Sequence, residues 1–248
     1  MPSSIAGIIE ICQRQGIRSA REASQTLRKS QVTADDLLPW AKFDHPAQDG
    51  YGRQAIAIGE DFELMVMTWL PGDFSAIHDH GHTQWGAVMY FGAAEHAIFR
   101  LDGDILRTTE RSIMAPLQVN EVDHDLIHQM GNPNVAPFLS LHLYGCNRPI
   151  DEVTGDARLF DLSEKRIQYT NGGVFYCLPE SAITKRGDVI CGDQETTMEH
   201  HQQMLDRIER ILRCPSTGNQ RNAESIKRLA DKLKIEMRQL QQVSHILA

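Results

Sequence analysis

The chain has 248 residues, a formal net charge of −8 and five cysteines. That length suits one large domain or one domain with an appendage, and the acidic balance argues against a nucleic-acid-binding surface. An odd number of cysteines, none in a C-x-x-C pair, predicts reduced thiols in a cytoplasmic protein, and no basic flank leads into an apolar run, so neither a signal peptide nor a membrane span is expected.

Residues 4–15 read as a helix, because Ile5, Ile8, Ile9 and Cys12 recur at helical spacing and Gly16 ends the run. Residues 19–29 read as a second helix, and Thr33 can cap a short third that runs through Leu38 to Pro39. These helices, within residues 1–48, are expected to pack on the outside of a β-rich body that begins after them. From Arg53 the period changes to two. Strands are predicted over 54–58, 63–70, 86–91, 96–101, 105–109, 118–122, 125–130 and 138–144, with Asp102-Gly103-Asp104 as a hairpin turn. Short strands at this spacing argue for a β-sandwich or barrel over 49–180. The signal then weakens. Residues 159–162 and 167–169 read as a last hairpin, and 174–178 lead out of the barrel. Residues 194–213 and 222–247 read as two long helices within a 194–248 extension, joined by residues 215–219. Ile208, Ile211 and Leu212 on the first, and Ile226, Leu229, Leu233, Met237 and Leu240 on the second, form an apolar face that must be buried. Either the barrel covers it or a second subunit does, in a homodimer.

The chain is organised around the segment between Gly72 and Gly92. At its centre His78-Asp79-His80 sets two imidazoles on one face of an expected strand, where they can share a borderline transition metal. The two glycines suit turns that open and close a hairpin around the pair. This is the first half of a cupin-like pattern. His128, on an apolar strand ahead of the Asn132-Pro133 turn, offers the third ligand. The carboxylate that usually completes such a site would fall near Gln84 or Trp85, and neither is acidic. The result is a neutral three-histidine face, which adds no charge to a divalent ion and can admit an anionic thiolate beside dioxygen. His82 reads as a loop residue near the pair, His124 as exposed, and Asp79 as pointing away from its two neighbours.

With Trp40–Asp44 (W-A-K-F-D), Tyr51-Gly52-Arg53, Ile77–His80 (I-H-D-H), Leu126–His128 (L-I-H) and Ser140–Tyr144 (S-L-H-L-Y) in view, the sequence resembles the cysteine dioxygenase type I family from about Trp40 to Phe160. The resemblance implies a mainly β cupin barrel (double-stranded β-helix, or jelly roll) with N-terminal helices and a C-terminal helical hairpin. It implies a mononuclear Fe(II) on His78, His80 and His128. It also implies oxidation of a small thiol to its sulfinic acid with both atoms of O2. By position, Arg53 matches the arginine that binds the substrate carboxylate, with Tyr51 beside it. Tyr144 matches the tyrosine next to the iron, and His142 its hydrogen-bond partner. Residues 140, 142 and 144 share one strand face, so Ser140, His142 and Tyr144 can form a hydrogen-bonded chain.

Three departures stand out. The family's Y-T-R-N reads Tyr51-Gly52-Arg53-Gln54. The position of the cysteine that crosslinks to the tyrosine in animal members is Trp85 here, and H-T-Q-W-G more resembles bacterial members. The helical extension is longer than the family accounts for. L-cysteine is the expected substrate. Oxidation of 3-mercaptopropionate or mercaptosuccinate is the alternative, with Arg158 or Arg148 as a second carboxylate site. A non-oxidative metal-binding cupin, an isomerase or sensor, is the rival from another class, and the Ser140–His142–Tyr144 chain speaks against a sensor.

Overall fold

The computed structural model describes residues 1–213 and 220–247, so the linker expected at 215–219 lies outside the described residues. Local chemistry sets the first elements. α1 (Ser3–Arg14) buries Ile5, Ile8 and Cys12. α2 (Ala20–Lys29) starts at Ser19, whose side chain accepts from Glu22 N. α3 (Ala34–Leu37) carries a reciprocal cap between Thr33 and Asp36, and a 3-10 turn at Leu38–Trp40 continues through Pro39.

Among the described residues there are twelve strands: β1 (Gly52–Ile58), β2 (Phe62–Trp69), β3 (Trp85–Tyr90), β4 (Ala94–Asp102), β5 (Ile105–Met114), β6 (Val119–Asp123), β7 (Ile127–Gly131), β8 (Phe138–Gly145), β9 (Ala157–Asp161), β10 (Arg166–Thr170), β11 (Lys185–Val189) and β12 (Cys191–Gly192). They form a five-stranded sheet β1-β2-β8-β3-β6, a four-stranded sheet β12-β5-β4-β7 and a three-stranded sheet β11-β10-β9. The architecture is a cupin barrel. β9 and β10 are the expected last hairpin. β11 and β12 were not expected, because β11 is mostly exposed and polar and shows no alternation.

Alternation along β2, β3 and β8 separates an outer core from an inner one. Leu64 and Val66 of β2, Trp85 and Ala87 of β3, and Leu139, Leu141 and Leu143 of β8 point outward and are covered by α1–α3. Met65, Met67 and Trp69 of β2 and Tyr144 of β8 point inward, and Ser140 and His142 share that inner face. The N-terminal helices therefore hold the outside of the sheet whose inside carries polar chemistry.

The expected hairpin around His78 and His80 does not form. Gly72 does turn, at φ +75°, and donates its N–H to Asn132 O. Residues 74–80 then run as an irregular extended segment laid between β7 and β9. On one edge His78 and His128 exchange both backbone bonds at 2.9 Å; on the other, Asp79 N donates to Arg158 O and Phe160 N to Ile77 O. The segment joins two sheets at once, so its pairing is limited to single bridges. Its exit is fixed by Gly81 at φ +53°, where a Cβ would lie 2.0 Å from Gly155 O. Gly92 makes no left-handed turn; its missing side chain makes room for Phe138.

α4 (Gln194–Arg213) buries Met204, Leu205, Ile208 and Ile211, and α5 (Gln220–Leu247) adds Ala230 and Leu233. These side chains, except Ile211, join the cluster that holds Met130 and Val174, and Leu212, Ile226, Leu229 and Met237 pack against it partly buried. Buried Asp73 anchors the junction: Arg207, Arg210 and His45 all approach its carboxylate, at 3.3, 2.9 and 3.0 Å. Among the described residues no helix is long and apolar enough to cross a membrane.

Candidate metal centre

His78 and His80 come from the irregular segment and His128 from β7. Their ligand-capable atoms lie within 4.8 Å of one another, and all three side chains are buried. His128 Nε2 and His80 Nε2 stand 3.1 Å apart. His78 Nδ1 is 2.9 Å from Ala76 O, which turns its Nε2 toward the other two rings. Burial pushes His78 down to about 4, and His80 and His128 well below the usual imidazole range. Three buried, neutral imidazoles with converging nitrogen lone pairs repel one another unless a cation or a proton sits between them. His80 Nδ1 is also buried without a partner. A group so arranged fits a borderline divalent metal. The ring contacts of His78 and His128 go to a backbone carbonyl and to another imidazole, not to a carboxylate. A bound cation would keep its charge and favour an anionic ligand.

The inner face of β8 supplies the second part. Trp69 Nε1 lies 2.8 Å from Ser140 Oγ, Ser140 Oγ 2.7 Å from His142 Nε2, and His142 Nδ1 2.8 Å from Tyr144 Oη. An indole N–H can only donate. Ser140 therefore accepts from Trp69, and its own proton goes to His142 Nε2, the acceptor within reach. His142, which burial holds neutral with a value of about 3, carries its proton on Nδ1 and gives it to Tyr144 Oη. The Tyr144 hydroxyl proton is left to point into the cavity. Burial raises Tyr144 well above the ordinary phenol value, so it is a donor, not a phenolate. Its ring centroid is 5.2 Å from that of His80.

Arg53 of β1 closes the third side. Its Nη2 donates to Thr154 Oγ1 at 2.9 Å and lies 3.5 Å from Glu63 Oε2, and Thr154 Oγ1 donates to Glu63. Tyr51 stacks on Trp69 and accepts from Val174 N. Tyr51, Arg53, His78, His80, Tyr144 and Thr154 line one small cavity of about 30 Å³. This is room for about two waters, so a ligand must be small or displace side chains.

Of the residues expected at the site, the structure gathers His78, His80, His128, Ser140, His142, Tyr144, Tyr51 and Arg53. Arg158 stands apart: its guanidinium and backbone N–H both engage Asp79, and it is not among the cavity-lining residues. Asp79 thus points away from the imidazoles, as expected. Arg148 is exposed. His82 is exposed, its ring near Glu152 O, and His124 is exposed against Thr83 O. His201 is buried against Glu236 of α5 and His200 is buried against Tyr176, neither at the centre. At the crosslink position the register matters. Gly86, not Trp85, pairs with Tyr144, and a Cβ on Gly86 would meet the Tyr144 ring at 2.5 Å. Trp85 faces the outer core. Sequence reasoning missed His96, Trp69 and Glu63, whose inward positions follow only from the strand pairing, and Thr154, a turn residue with no local signal.

The model of the family "Cysteine dioxygenase type I" matches residues 2–154. Cysteine dioxygenase type 1 of Homo sapiens is 23% identical over 150 residues, which cover 58% of this chain and 74% of that protein. The Danio rerio protein of the same name is 27% identical over 149 residues, 55% and 72% of the two chains. Among solved structures, a cupin 2 conserved barrel domain protein from Salinispora arenicola shares 15% identity over 42% of this chain and 83% of its own, with a TM-score of 0.31. A cupin-2 domain from Rhodospirillum rubrum shares 20% over 41% and 64%, with a TM-score of 0.33.

Proposed function

The chain belongs to the cysteine dioxygenase type I family, and from that premise we propose that it oxidises L-cysteine with O2 to cysteine sulfinic acid as a non-haem Fe(II) enzyme. The thiol loses its S–H bond, both oxygen atoms end on sulfur, and no other reductant is needed. The carrying observation is a cluster of three neutral imidazoles, two of which, His78 and His80, line the same cavity as Tyr144 and Arg53. An iron ion held by His78, His80 and His128 would supply the redox chemistry that joins thiol sulfur and dioxygen.

The chain's own residues do the rest. Arg53 offers a planar, permanently charged fork to a carboxylate, and Thr154 with Glu63 holds that fork in place. Tyr144 presents a hydroxyl proton beside the imidazoles, oriented through His142, Ser140 and Trp69. Met65 and Met67 line the cavity and keep it partly dry, which strengthens each polar contact inside. The described cysteines Cys12, Cys146, Cys177 and Cys191 are free thiols, which fits a cytoplasmic enzyme.

The test is oxygen consumption by anaerobically iron-loaded protein against L-cysteine, 3-mercaptopropionate and mercaptosuccinate, with the sulfinic acid quantified. L-cysteine should turn over best. Preference for either other thiol overturns the substrate assignment, and no turnover of any thiol overturns the reaction.

A further inference from the structure

His128 has two ring nitrogens with different tasks. Its Nε2 faces His80 Nε2 at 3.1 Å, and its Nδ1 lies 2.8 Å from Nε2 of His96. His96 comes from β4, whose register with β7 pairs Ile98 with His128 and His96 with Met130, so the His96 ring reaches diagonally across the ladder. Both side chains are buried, at 5% and 1% exposure, and the rings meet edge to face. A ligating histidine usually gives its second N–H to a carboxylate, a backbone carbonyl or water. His78 does so, to Ala76 O. His128 meets an imidazole instead.

We propose that His96 is a positioning residue of the metal centre: a neutral acceptor that fixes His128 with Nε2 free and leaves the bound cation's charge undiminished. When His128 Nε2 binds a cation, its one proton must sit on Nδ1, and that N–H can donate only to an unprotonated His96 Nε2. An imidazolium at 96 has no acceptor atom and would break the contact. A carboxylate at 96 would accept the same proton but would push negative charge through His128 onto the metal. The neutral acceptor therefore keeps a cationic site that draws in an anionic thiolate. The inference rests on the three-histidine centre of the proposed function, not on thiol oxidation.

The experiment loads wild-type, His96→Gln, His96→Glu and His96→Leu proteins with Co(II). Affinity is read by competition with a chromophoric chelator, and ligand field by the visible absorption of the bound ion. Gln retains a neutral acceptor and should stay within about threefold of wild type. Leu removes the acceptor and should weaken binding by about 10–100-fold, the usual cost of losing such a partner. Glu should bind Co(II) more tightly than wild type and shift its absorption, an effect that a role in packing alone does not produce. Leu matching wild type in affinity and spectrum, or Glu weakening binding as Leu does, overturns the proposal. Circular dichroism reports folding; if the Leu variant does not fold, equal affinity and spectrum for Gln and Glu overturn it alone. A wild-type protein that takes up no Co(II) overturns the metal centre and this inference together. The expected ordering in a protein that oxidises no thiol leaves the inference standing and removes only the reaction.

Discussion

Trp69 Nε1 stands 2.8 Å from Ser140 Oγ, at the far end of the chain of contacts that reaches Tyr144. Because indole only donates, Trp69 sets the direction of every proton along that chain. Trp69→Phe keeps an aromatic ring beside Tyr51 and Phe138 but frees the Ser140 hydroxyl to reverse. His142 can then adopt its other tautomer, and Tyr144 would turn its proton inward to His142. We expect kcat for the preferred thiol to fall about tenfold, the equivalent of about 1.4 kcal/mol and close to one neutral hydrogen bond, with iron content unchanged. Steady-state kinetics beside metal analysis checks this; an unchanged kcat would show that Tyr144 does not need the chain.

His128 and His82 allow a clean contrast. His128 is buried with both ring nitrogens in contact, whereas His82 is exposed and its ring lies against the Glu152 carbonyl. His128→Ala should strip most of the iron and abolish turnover. His82→Ala should retain both. Metal analysis of protein reconstituted anaerobically decides, and full iron content in the His128 variant would move the third ligand elsewhere.

The sequence made the three converging histidines legible because each carries a strong local signal: H-x-H between glycines, and a histidine in an apolar run before Asn-Pro. Strands β1 to β10 and both sets of helices were legible from alternation and capping, as with Thr33 and Asp36. What was not legible depends on register across the sheet. His96 lies in an ordinary alternating strand, and nothing local says that it lands on His128. Trp69 and Glu63 look like core and surface residues until β2 is paired with β8, where Glu63 lies opposite Tyr144. The path of residues 74–80 between two sheets was hidden for the same reason, since single bridges leave no periodic trace.

Gly86 sits under the Tyr144 ring, with room for no side chain. Gly86→Ala places a methyl 2.5 Å from Tyr144 Cδ1 and 2.9 Å from Leu143 O, so the ring must shift. We expect a loss of about 1–3 kcal/mol in stability and a larger proportional loss in kcat than in iron binding. Denaturant titration and kinetics measure the two. In wild type the same geometry leaves no cysteine opposite the phenol, so peptide mapping after turnover should find Tyr144 unmodified; a Tyr144 peptide joined to a cysteine peptide would refute this.

Burial lowers His78 and His200 to about 4 and His142 to about 3, below the roughly 6.5 of an unfolded chain. Above pH 6.5 these groups are neutral in both states and cost nothing. As pH falls from 6.5 toward 4 the unfolded chain takes up protons that the folded one refuses, so stability drops by up to about 1.4 kcal/mol per pH unit for each group. The metal-free protein should therefore lose stability steeply across that window, and His142→Gln should flatten the slope by nearly one proton. Urea unfolding at several pH values tests it; an unchanged slope in the variant would show that His142 is protonated in the folded protein.

Arg53 and Glu63 bear on which thiol is chosen. Arg53 uses Nη2 for Thr154 and Glu63, which leaves Nε and Nη1 to take a ligand carboxylate. A charge-assisted bond of this kind contributes about 1.5–3 kcal/mol, so Arg53→Ala should raise the KM for L-cysteine by about tenfold or more with a smaller effect on kcat. Glu63, only 8% exposed, brings a fixed negative charge to the same end of the cavity. It opposes each further carboxylate by on the order of 1–2 kcal/mol at several ångströms and an effective dielectric near 20. L-cysteine carries an ammonium group and one carboxylate, while mercaptosuccinate carries two carboxylates and no ammonium group. Glu63→Gln should therefore raise the kcat/KM for mercaptosuccinate relative to L-cysteine by about tenfold. Arg158 is engaged by Asp79 rather than facing the cavity, so Arg158→Ala should leave that ratio unchanged. A ratio that moves with Arg158 and not with Glu63 would place the selecting charge at Arg158, outside the cavity that Arg53 lines.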